Sequence, residues 1–242
     1  MEYQELSQRV EDAFEGLSAQ LKRAARYVLD HPDDVALLSM RQFAAKANVH
    51  PSTMMRLIKE LGMDGYAAFQ EPHRHRLRTL PKPIVAAVNG YALGAGAEMA
   101  ISADFVLMKH SAQIGFPEVS IGTFLGGGVT HVLPQLVGMA RARELVYTGE
   151  RINGEQAASM GLATRSFSDE TYDEGVKAFA KLIASKAPVS MAFAKDHFAE
   201  LRTYDEAFNS ELDAILACMK TDDWAEGVAA FAEKRPPVFK GQ

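Results

Sequence analysis

The amino-acid sequence predicts an α/β protein in two parts: a small all-α helix-turn-helix domain over residues 1–78 and an α/β domain over residues 79–242. Two observations predict this division. Before residue 79, apolar residues recur at helical spacing. After Leu80-Pro81-Lys82-Pro83, short continuous apolar runs alternate with helical segments, which is typical of buried strands covered by helices.

The composition is that of a folded protein, with 48% hydrophobic and 24% charged residues. No apolar run reaches the length of a membrane span, and the N-terminus lacks a signal-peptide pattern, so we expect a cytoplasmic protein that does not contact a membrane. The single cysteine, Cys218, excludes an intrachain disulfide, and its apolar neighbours predict a buried structural thiol. We expect no metal site.

The helices of the N-terminal part follow in order. Ser18 can cap a helix that ends at His31-Pro32, because serine is a preferred cap and proline disfavours helix in the residue before it. Ser39 can cap a second helix over Met40–Ala47. Asn48 can adopt the left-handed conformation of a turn, and Pro51 begins a third helix that ends at about Leu61.

The third helix carries the predicted DNA contacts. Its polar residues are expected to face outward, and they are Ser52, Thr53, Arg56 and Lys59. Basic residues outnumber acidic ones between residues 41 and 78, which permits nucleic-acid contact. Two short helices joined by a tight turn form helix-turn-helix geometry, although an ordinary helical hairpin gives the same pattern.

Two segments of this region carry a family resemblance: Ala44-Ala45-Lys46-Ala47-Asn48-Val49, and Arg56-Leu57-Ile58-Lys59-Glu60-Leu61-Gly62 through Gly65-Tyr66-Ala67-Ala68-Phe69. With them, residues 9–72 resemble the N-terminal domain of the RpiR family of bacterial transcriptional regulators. The resemblance implies binding of double-stranded DNA. The family has serine where this chain has His50, and we expect that change to weaken the cap of the third helix.

The C-terminal part predicts alternating strands and helices. The strands are Ile84–Val88, Phe105–Met108, Gln113–Gly115 and Leu162–Phe167. The helices between them are Ala97–Ala103, Val129–Gln135, Ala140–Tyr147 and Gly154–Gly161. Three long amphipathic helices and a last helix near Asp223–Lys234 end the chain, the second of the long helices covering Ser190–Leu201.

A glycine turn and two carboxylates form the candidate active site. Gly94-Ala95-Gly96 begins a helix that carries Glu98, and Glu118 follows the next strands. Backbone N–H groups at a helix start stabilise negative charge, and two carboxylates beside them could exchange protons with a bound water or a substrate carbon. An ordinary strand-to-helix turn fits the same pattern. A dinucleotide site is disfavoured because the third glycine of that motif is absent.

The resemblance that favours the enzyme rests on several motifs: Pro83-Ile84-Val85-Ala86-Ala87-Val88-Asn89-Gly90-Tyr91-Ala92-Leu93-Gly94-Ala95-Gly96-Ala97-Glu98, Gly115-Phe116-Pro117-Glu118, Gly126-Gly127-Gly128, and Glu226 through Arg235. With these, residues 79–242 resemble the enoyl-CoA hydratase/isomerase (crotonase) superfamily. The resemblance implies a crotonase-like spiral α/β domain with C-terminal helices, and an acyl-CoA thioester substrate that water attacks at a trans-2-enoyl double bond.

The same resemblance implies roles for single residues. Glu98 and Glu118 position the water and move the proton, and the Ala95 N–H is an oxyanion donor for the thioester carbonyl. Substrate contacts are implied at Gly94, Gly96, Pro117, Gly126, Gly127 and Lys234. Coenzyme A enters as part of the substrate, so no separate cofactor is expected. A homotrimer or homohexamer is implied.

The resemblance does not cover the family's N-terminal lobe, which supplies the first oxyanion donor. We therefore expect an incomplete crotonase domain with weakened activity, since losing one such donor typically costs about 10²–10³ in rate. Two alternatives stay open. One is a transcriptional regulator whose crotonase part oligomerises or senses acyl-CoA, and the other is a non-functional rearrangement product.

Overall fold

A computed structural model describes residues 2–199 and 203–242, without the side chain of Ala67. The chain divides into two compact units, Met1–Arg78 and Thr79–Gln242. Within the described ranges, no helix is long and apolar enough to cross a membrane.

The N-terminal unit is all helical. Its helices are α1 (Tyr3–Ala13), α2 (Ala19–Asp30), α3 (Pro32–Leu37), α4 (Met40–Lys46), α5 (Pro51–Glu60) and α6 (Tyr66–Thr79), with a short 3₁₀ turn at Phe14–Gly16. Apolar side chains from all six helices form one core. The largest fully buried ones are Leu6, Phe43, Met54, Leu57, Ile58, Leu61 and Phe69.

Local signals placed the middle helices correctly. Ser39 accepts a hydrogen bond from the Gln42 N–H, and the Gln42 side chain accepts one from the Ser39 N–H, so the two form a capping box at the start of α4. Asn48 adopts the predicted left-handed conformation with φ 53°. Helix α2 starts after Ser18 as predicted, but the Ser18 side chain makes no capping hydrogen bond.

His50 caps α5 with its side chain. The N–H of Ser52 donates to Nδ1 of His50 at 3.2 Å, so the imidazole takes the place of the serine that the resembled family has there. An imidazole nitrogen can accept a hydrogen bond as a hydroxyl does, and the expectation that this cap is weaker stays a prediction.

Helices α3 and α6 were not predicted, and buried polar contacts join them. The Gln70 side-chain amide donates to the carbonyls of Val35 at 2.9 Å and Leu38 at 2.8 Å. The Tyr66 hydroxyl also donates to the Leu38 carbonyl, at 3.1 Å. These bonds satisfy carbonyls at the end of α3 that have no partner within that helix.

The C-terminal unit contains two three-stranded sheets. Sheet one has the order β1 (Val85–Val88), β3 (Phe105–Lys109), β6 (Arg165–Phe167), and all its pairs are parallel. Sheet two has the order β2 (Tyr91–Leu93), β4 (Gln113–Gly115), β5 (Arg151–Asn153), with a parallel β2/β4 pair and an antiparallel β4/β5 pair. Strands β2 and β5 were not predicted.

Helices pack around these sheets and complete the unit. They are α7 (Ala95–Ile101), α8 (Val129–Thr148), α9 (Gly154–Ser159), α10 (Tyr172–Ala184), α11 (Pro188–Ala199), α12 (Tyr204–Cys218) and α13 (Asp222–Glu233). Helix α8 is broken at Gly138, whose φ of 77° is not helical, so its two halves match the two helices predicted there. The predicted helix end at Leu201 lies outside the described residues. Cys218 is only half-buried, which corrects the buried thiol.

Candidate active site

Gly94 forms the turn that links β2 to α7. Its φ of 56° lies in the region that favours glycine, and a Cβ at this position would lie 2.9 Å from Oε1 of Glu118. The Gly94 carbonyl accepts the N–H of Glu98 at 3.0 Å. The turn therefore brings α7, with Glu98, and the Glu118 carboxylate to one point of the chain.

Glu98 lies one turn into α7, and the loop formed by Gly126, Gly127 and Gly128 fixes its side chain. Its side chain is 6% exposed. The Gly126 N–H donates to its Oε1 at 2.7 Å. A Cβ on Gly127 would lie 3.3 Å from the Glu98 Cβ, so small residues are needed for the loop to approach this closely.

Glu118 lies in a 3₁₀ turn, Pro117–Ile121, that follows β4 and the buried Phe116. It is also 6% exposed, and its Oε2 is buried without a hydrogen-bond partner in the part of the chain that the structure describes. Burial raises the pKa of the Glu118 carboxyl, a hydrogen bond from its own backbone lowers it in part, and the negative charge of Glu98 raises it further. An unpaired buried oxygen of this kind is available to a water or a substrate.

The first residues of α7 are exposed beside this pair. Ala95 and Gly96 both lie at the helix start and are open to solvent. The first N–H groups of a helix have no acceptor within the helix, so they can donate to an oxyanion. The geometry thus combines two buried carboxylates with free helix-start N–H groups.

Two further predicted substrate contacts are Pro117 and Lys234. Pro117 is half-buried directly before Glu118. Lys234 ends α13 in a left-handed conformation with φ 55°, and its side chain is exposed. Among the described residues, no contact joins Lys234 to the two glutamates, and its role as a substrate contact stays a prediction.

The four predicted DNA-contact residues lie on α5. Ser52, Arg56 and Lys59 are exposed as expected. Thr53 is 6% exposed, and the prediction that it faces outward is wrong, because it packs beside Met54 and Leu57 on the buried side of α5. Positions three and four residues apart share a helix face, and Thr53 falls on the same face as Leu57.

Sequence reasoning missed the contact that fixes Glu98. The predicted substrate contact of Gly126 stays a prediction, and the structure adds a hydrogen bond from its N–H to the Glu98 carboxylate. The signal in the sequence was the run of three glycines, of which Gly127 and Gly128 adopt φ of 58° and 74° before α8. Such a run predicts close backbone approach, but it does not identify the group that is approached.

The comparisons with known proteins show the family of the chain. Residues 36–242 match the family model described as enoyl-CoA hydratase/isomerase. The chain belongs to the enoyl-CoA hydratase/isomerase family. This match begins at residue 36, inside the N-terminal unit, whereas the resemblance found in the sequence begins at residue 79.

Members of the hydratase/isomerase family with curated functions align over most of the chain. A crotonyl-CoA hydratase from Syntrophomonas wolfei is 37% identical over 183 residues, covering 75% of this chain and 68% of that protein. A short-chain-enoyl-CoA hydratase from Clostridium acetobutylicum is 34% identical, covering 81% of this chain and 74% of that protein.

A solved structure of the same family supports the fold. The enoyl-CoA hydratase from Bacillus anthracis is 30% identical with a TM-score of 0.69, covering 81% of this chain and 74% of that chain. The predicted crotonase-like α/β fold with many helices is therefore confirmed.

Proposed function

We propose that the chain hydrates trans-2-enoyl-CoA thioesters, with Glu98 and Glu118 as the catalytic residues. One observation carries the proposal: Glu98 and Glu118 are both buried beside the Gly94 turn, and Oε2 of Glu118 has no hydrogen-bond partner among the described residues. Buried paired carboxylates are otherwise costly, which favours a catalytic use.

In this reaction the water oxygen bonds to the β-carbon, and its proton is delivered through the carboxylates to the α-carbon. The Gly126 N–H fixes Glu98, which suits Glu98 to accept the water proton. The raised pKa of Glu118 suits that carboxyl to donate a proton. The thioester oxygen becomes negative as the water adds, and the Ala95 N–H is the proposed donor to it.

The test is the hydration of crotonyl-CoA, followed by loss of absorbance of the conjugated thioester. Glu98→Gln and Glu118→Gln are each expected to lower kcat by roughly two or more decades, since they remove positioned acid–base groups. The control is Glu150→Gln, an exposed glutamate of the same unit. Equal rates in the wild type and both glutamine variants would show that these carboxylates do not catalyse the reaction.

A second candidate function is DNA binding by an RpiR-like helix-turn-helix domain in the N-terminal unit, which would make the chain a regulator. The supporting observation is the exposed polar face of α5, with Ser52, Arg56 and Lys59, behind a short turn from α4. Such a helix can enter a major groove, and its basic residues would pair with phosphates.

Duplex binding tests this candidate. Affinity for double-stranded DNA is expected to fall as salt rises and to fall further in the double variant Arg56→Ala/Lys59→Ala. The matched control is Lys177→Ala/Lys181→Ala, two exposed lysines on α10. If both double variants bind the duplex with equal affinity, the basic residues of α5 do not contact DNA.

We also propose that the chain forms a homotrimer or homohexamer. Helix α12 supports this, because large apolar side chains along it are exposed, namely Phe208, Leu212, Ile215, Leu216 and Met219. A row of this kind on one helix is typical of a surface that another copy covers.

A further inference from the structure

Both halves of α8, which separate at Gly138, line a pocket of about 260 Å³. Its walls are mainly apolar, and they include Val129 and Leu133 from the first half and Ala142 and Val146 from the second. An engineered apolar cavity of about 150 Å³ is large enough to bind benzene, so this pocket has room for an alkyl chain.

The first half of α8 connects the pocket to Glu98. The Gly126 N–H donates to Oε1 of Glu98 at 2.7 Å, and the Gly126 carbonyl accepts the N–H of Val129 at 3.2 Å. Val129 is the first residue of α8, is 1% exposed and lines the pocket. Two hydrogen bonds through one glycine therefore link the pocket wall to the first candidate carboxylate.

The second half of α8 connects the pocket to Glu118. The helix ends at Gly149, where a Cβ would lie 2.6 Å from Oγ of Ser120 and 3.4 Å from Cα of Pro117. Both of these residues belong to the 3₁₀ turn that carries Glu118. Tyr147, two residues before Gly149, lines the pocket. The pocket therefore adjoins the loop that fixes one candidate carboxylate and the turn that carries the other.

Arg143 is the one charged side chain among the described residues that line the pocket. It is exposed, and it makes no ion pair or side-chain hydrogen bond with another described residue. Arg141, on the same half of α8, is instead paired with Glu144 at 2.5 Å. Thr130 and Tyr147 add a hydroxyl each to the pocket wall. An unpaired guanidinium beside two hydroxyl groups favours a carboxylate as its partner.

The chemistry of the pocket suits one part of an acyl-CoA better than the other. The CoA part carries several phosphates, which a single guanidinium cannot neutralise. The reacting carbons would lie at Glu98 and Glu118, so the group that continues from them into the pocket is the acyl chain. Apolar walls suit the methylene groups of that chain, and Arg143 suits one negative charge at its end.

We propose that the pocket of α8 holds the end of the acyl chain and that Arg143 selects chains that end in a carboxylate. The inference rests on the proposed function, because it assumes an acyl-CoA substrate. It names the substrate class, which is trans-2-enoyl-CoA thioesters of dicarboxylic acids. Arg143 is then a residue that determines specificity, and it takes no part in the proton transfers.

The test measures binding of saturated acyl-CoAs to the full chain by isothermal titration calorimetry, since a saturated chain cannot be hydrated. Two series with chains of about six to ten carbons are compared, one ending in a methyl group and the other in a carboxylate. The carboxylate series should bind about threefold to tenfold more tightly at the best chain length, because the Arg143 pair is charge-assisted but partly exposed. The kcat/KM for hydration of the matching enoyl-CoAs should show the same preference.

Variants of Arg143 assign the preference to this side chain. Arg143→Gln should bind the two series with equal affinity and leave the affinity for the methyl series within about twofold of the wild type. Arg143→Lys keeps the charge without the planar fork and should keep part of the preference. The matched control is Arg141→Gln, which removes a guanidinium of the same helix half outside the pocket. It should bind both series as the wild type does.

The outcomes separate this inference from the proposed function. If the wild type binds both series equally, or if Arg143→Gln keeps the preference, the inference is overturned and the hydratase proposal stands. If neither series binds, the acyl-CoA substrate is wrong and the inference fails with it. A carboxylate preference in binding, without hydration of the matching enoyl-CoAs, supports the pocket and counts against the hydratase.

Discussion

Single residues hold the two glutamates in place, and Gly94 is the most constrained of them. A side chain there would need a left-handed backbone and would meet Oε1 of Glu118 at 2.9 Å. Two residues later, a Cβ on Gly96 would meet nothing within 4 Å. The two glycines of one turn therefore differ in what they allow.

Substitution of these glycines by alanine is predicted to separate their roles. Gly94→Ala should lower the free energy of unfolding of the C-terminal unit by about 2–4 kcal/mol, because backbone strain adds to the contact with Glu118. Gly96→Ala should leave it unchanged or raise it by up to about 1 kcal/mol, since alanine favours a helix. Urea unfolding followed by the fluorescence of Trp224 measures both. Equal effects would contradict the steric argument.

Glu118 is predicted to trade stability for function. Its pKa is raised in the folded chain, first by burial and also by Glu98, so the native state binds its proton more tightly than the unfolded state does. Stability from this group is present at acid pH and is lost as pH rises above the ordinary range for a glutamate. Glu118→Gln should therefore unfold at higher urea than the wild type at neutral pH, with the difference shrinking near pH 4. Glu150→Gln, an exposed control, should show no such trend.

At the scale of elements, helix α6 holds the end of α3 through Gln70. Gln70→Met removes the donor to the carbonyls of Val35 and Leu38 without changing the size of the side chain much. We predict a loss of about 2–3 kcal/mol in the N-terminal unit. Amide hydrogen exchange of α3 and α6 measures it locally. The control Gln8→Met, on the exposed face of α1, should change exchange by less than about 0.5 kcal/mol.

Helix α6 also carries a buried histidine that makes the N-terminal unit acid-sensitive. Burial lowers the pKa of His73 to about 4, and its Nδ1 donates to the Phe69 carbonyl at 3.0 Å. Between about pH 6.5 and pH 4 the unfolded state takes up a proton that the native state does not, so stability falls as pH falls, by up to about 3 kcal/mol. Hydrogen exchange of α6 against pH measures this. A His73→Leu variant that keeps the same pH slope would contradict it.

Elements with strong local signals could be predicted, and those fixed by distant partners could not. The capping residue Ser39 and the left-handed Asn48 act within one turn, so the sequence pattern located α4 and α5. Strands β2 and β5 have three residues each, too few for a periodic signal, and both form by pairing with β4. Helix α6 showed no periodic row of apolar residues in the sequence. Polar side chains, Tyr66 and Gln70, join it to the end of α3.

The candidate site also has features that the sequence predicted and features that it did not. The glycine turn made Glu98 and Glu118 candidates, the family resemblance implied their roles, and the structure buries both beside Gly94. The hydrogen bond from Gly126 was not foreseen, because it joins atoms 28 residues apart. Thr53 was misplaced because its polarity was read as exposure, although a small hydroxyl can lie on a buried helix face.

At the scale of the whole molecule, the exposed apolar row of α12 predicts an assembly. Static light scattering at micromolar concentration should give about three or six times the 26.5 kDa of the chain. Phe208→Glu together with Ile215→Glu should reduce the assembly toward a monomer, because charges would be buried in the contact. A wild-type chain that scatters as a monomer would contradict the proposal.

The long sequence separation between β3 and β6 affects how the chain folds during synthesis. The N-terminal unit is all helical, and helical backbone hydrogen bonds join residues four positions apart, so its helices need no distant partner strand in order to form. The parallel pair of β3 and β6 must wait, since its anchoring bond from the Val106 N–H to the Thr164 hydroxyl spans 58 residues. During synthesis the N-terminal unit can fold while β3 still awaits its partner. The apolar edge of β3 is exposed for that interval, and the chain is then at greatest risk of aggregation.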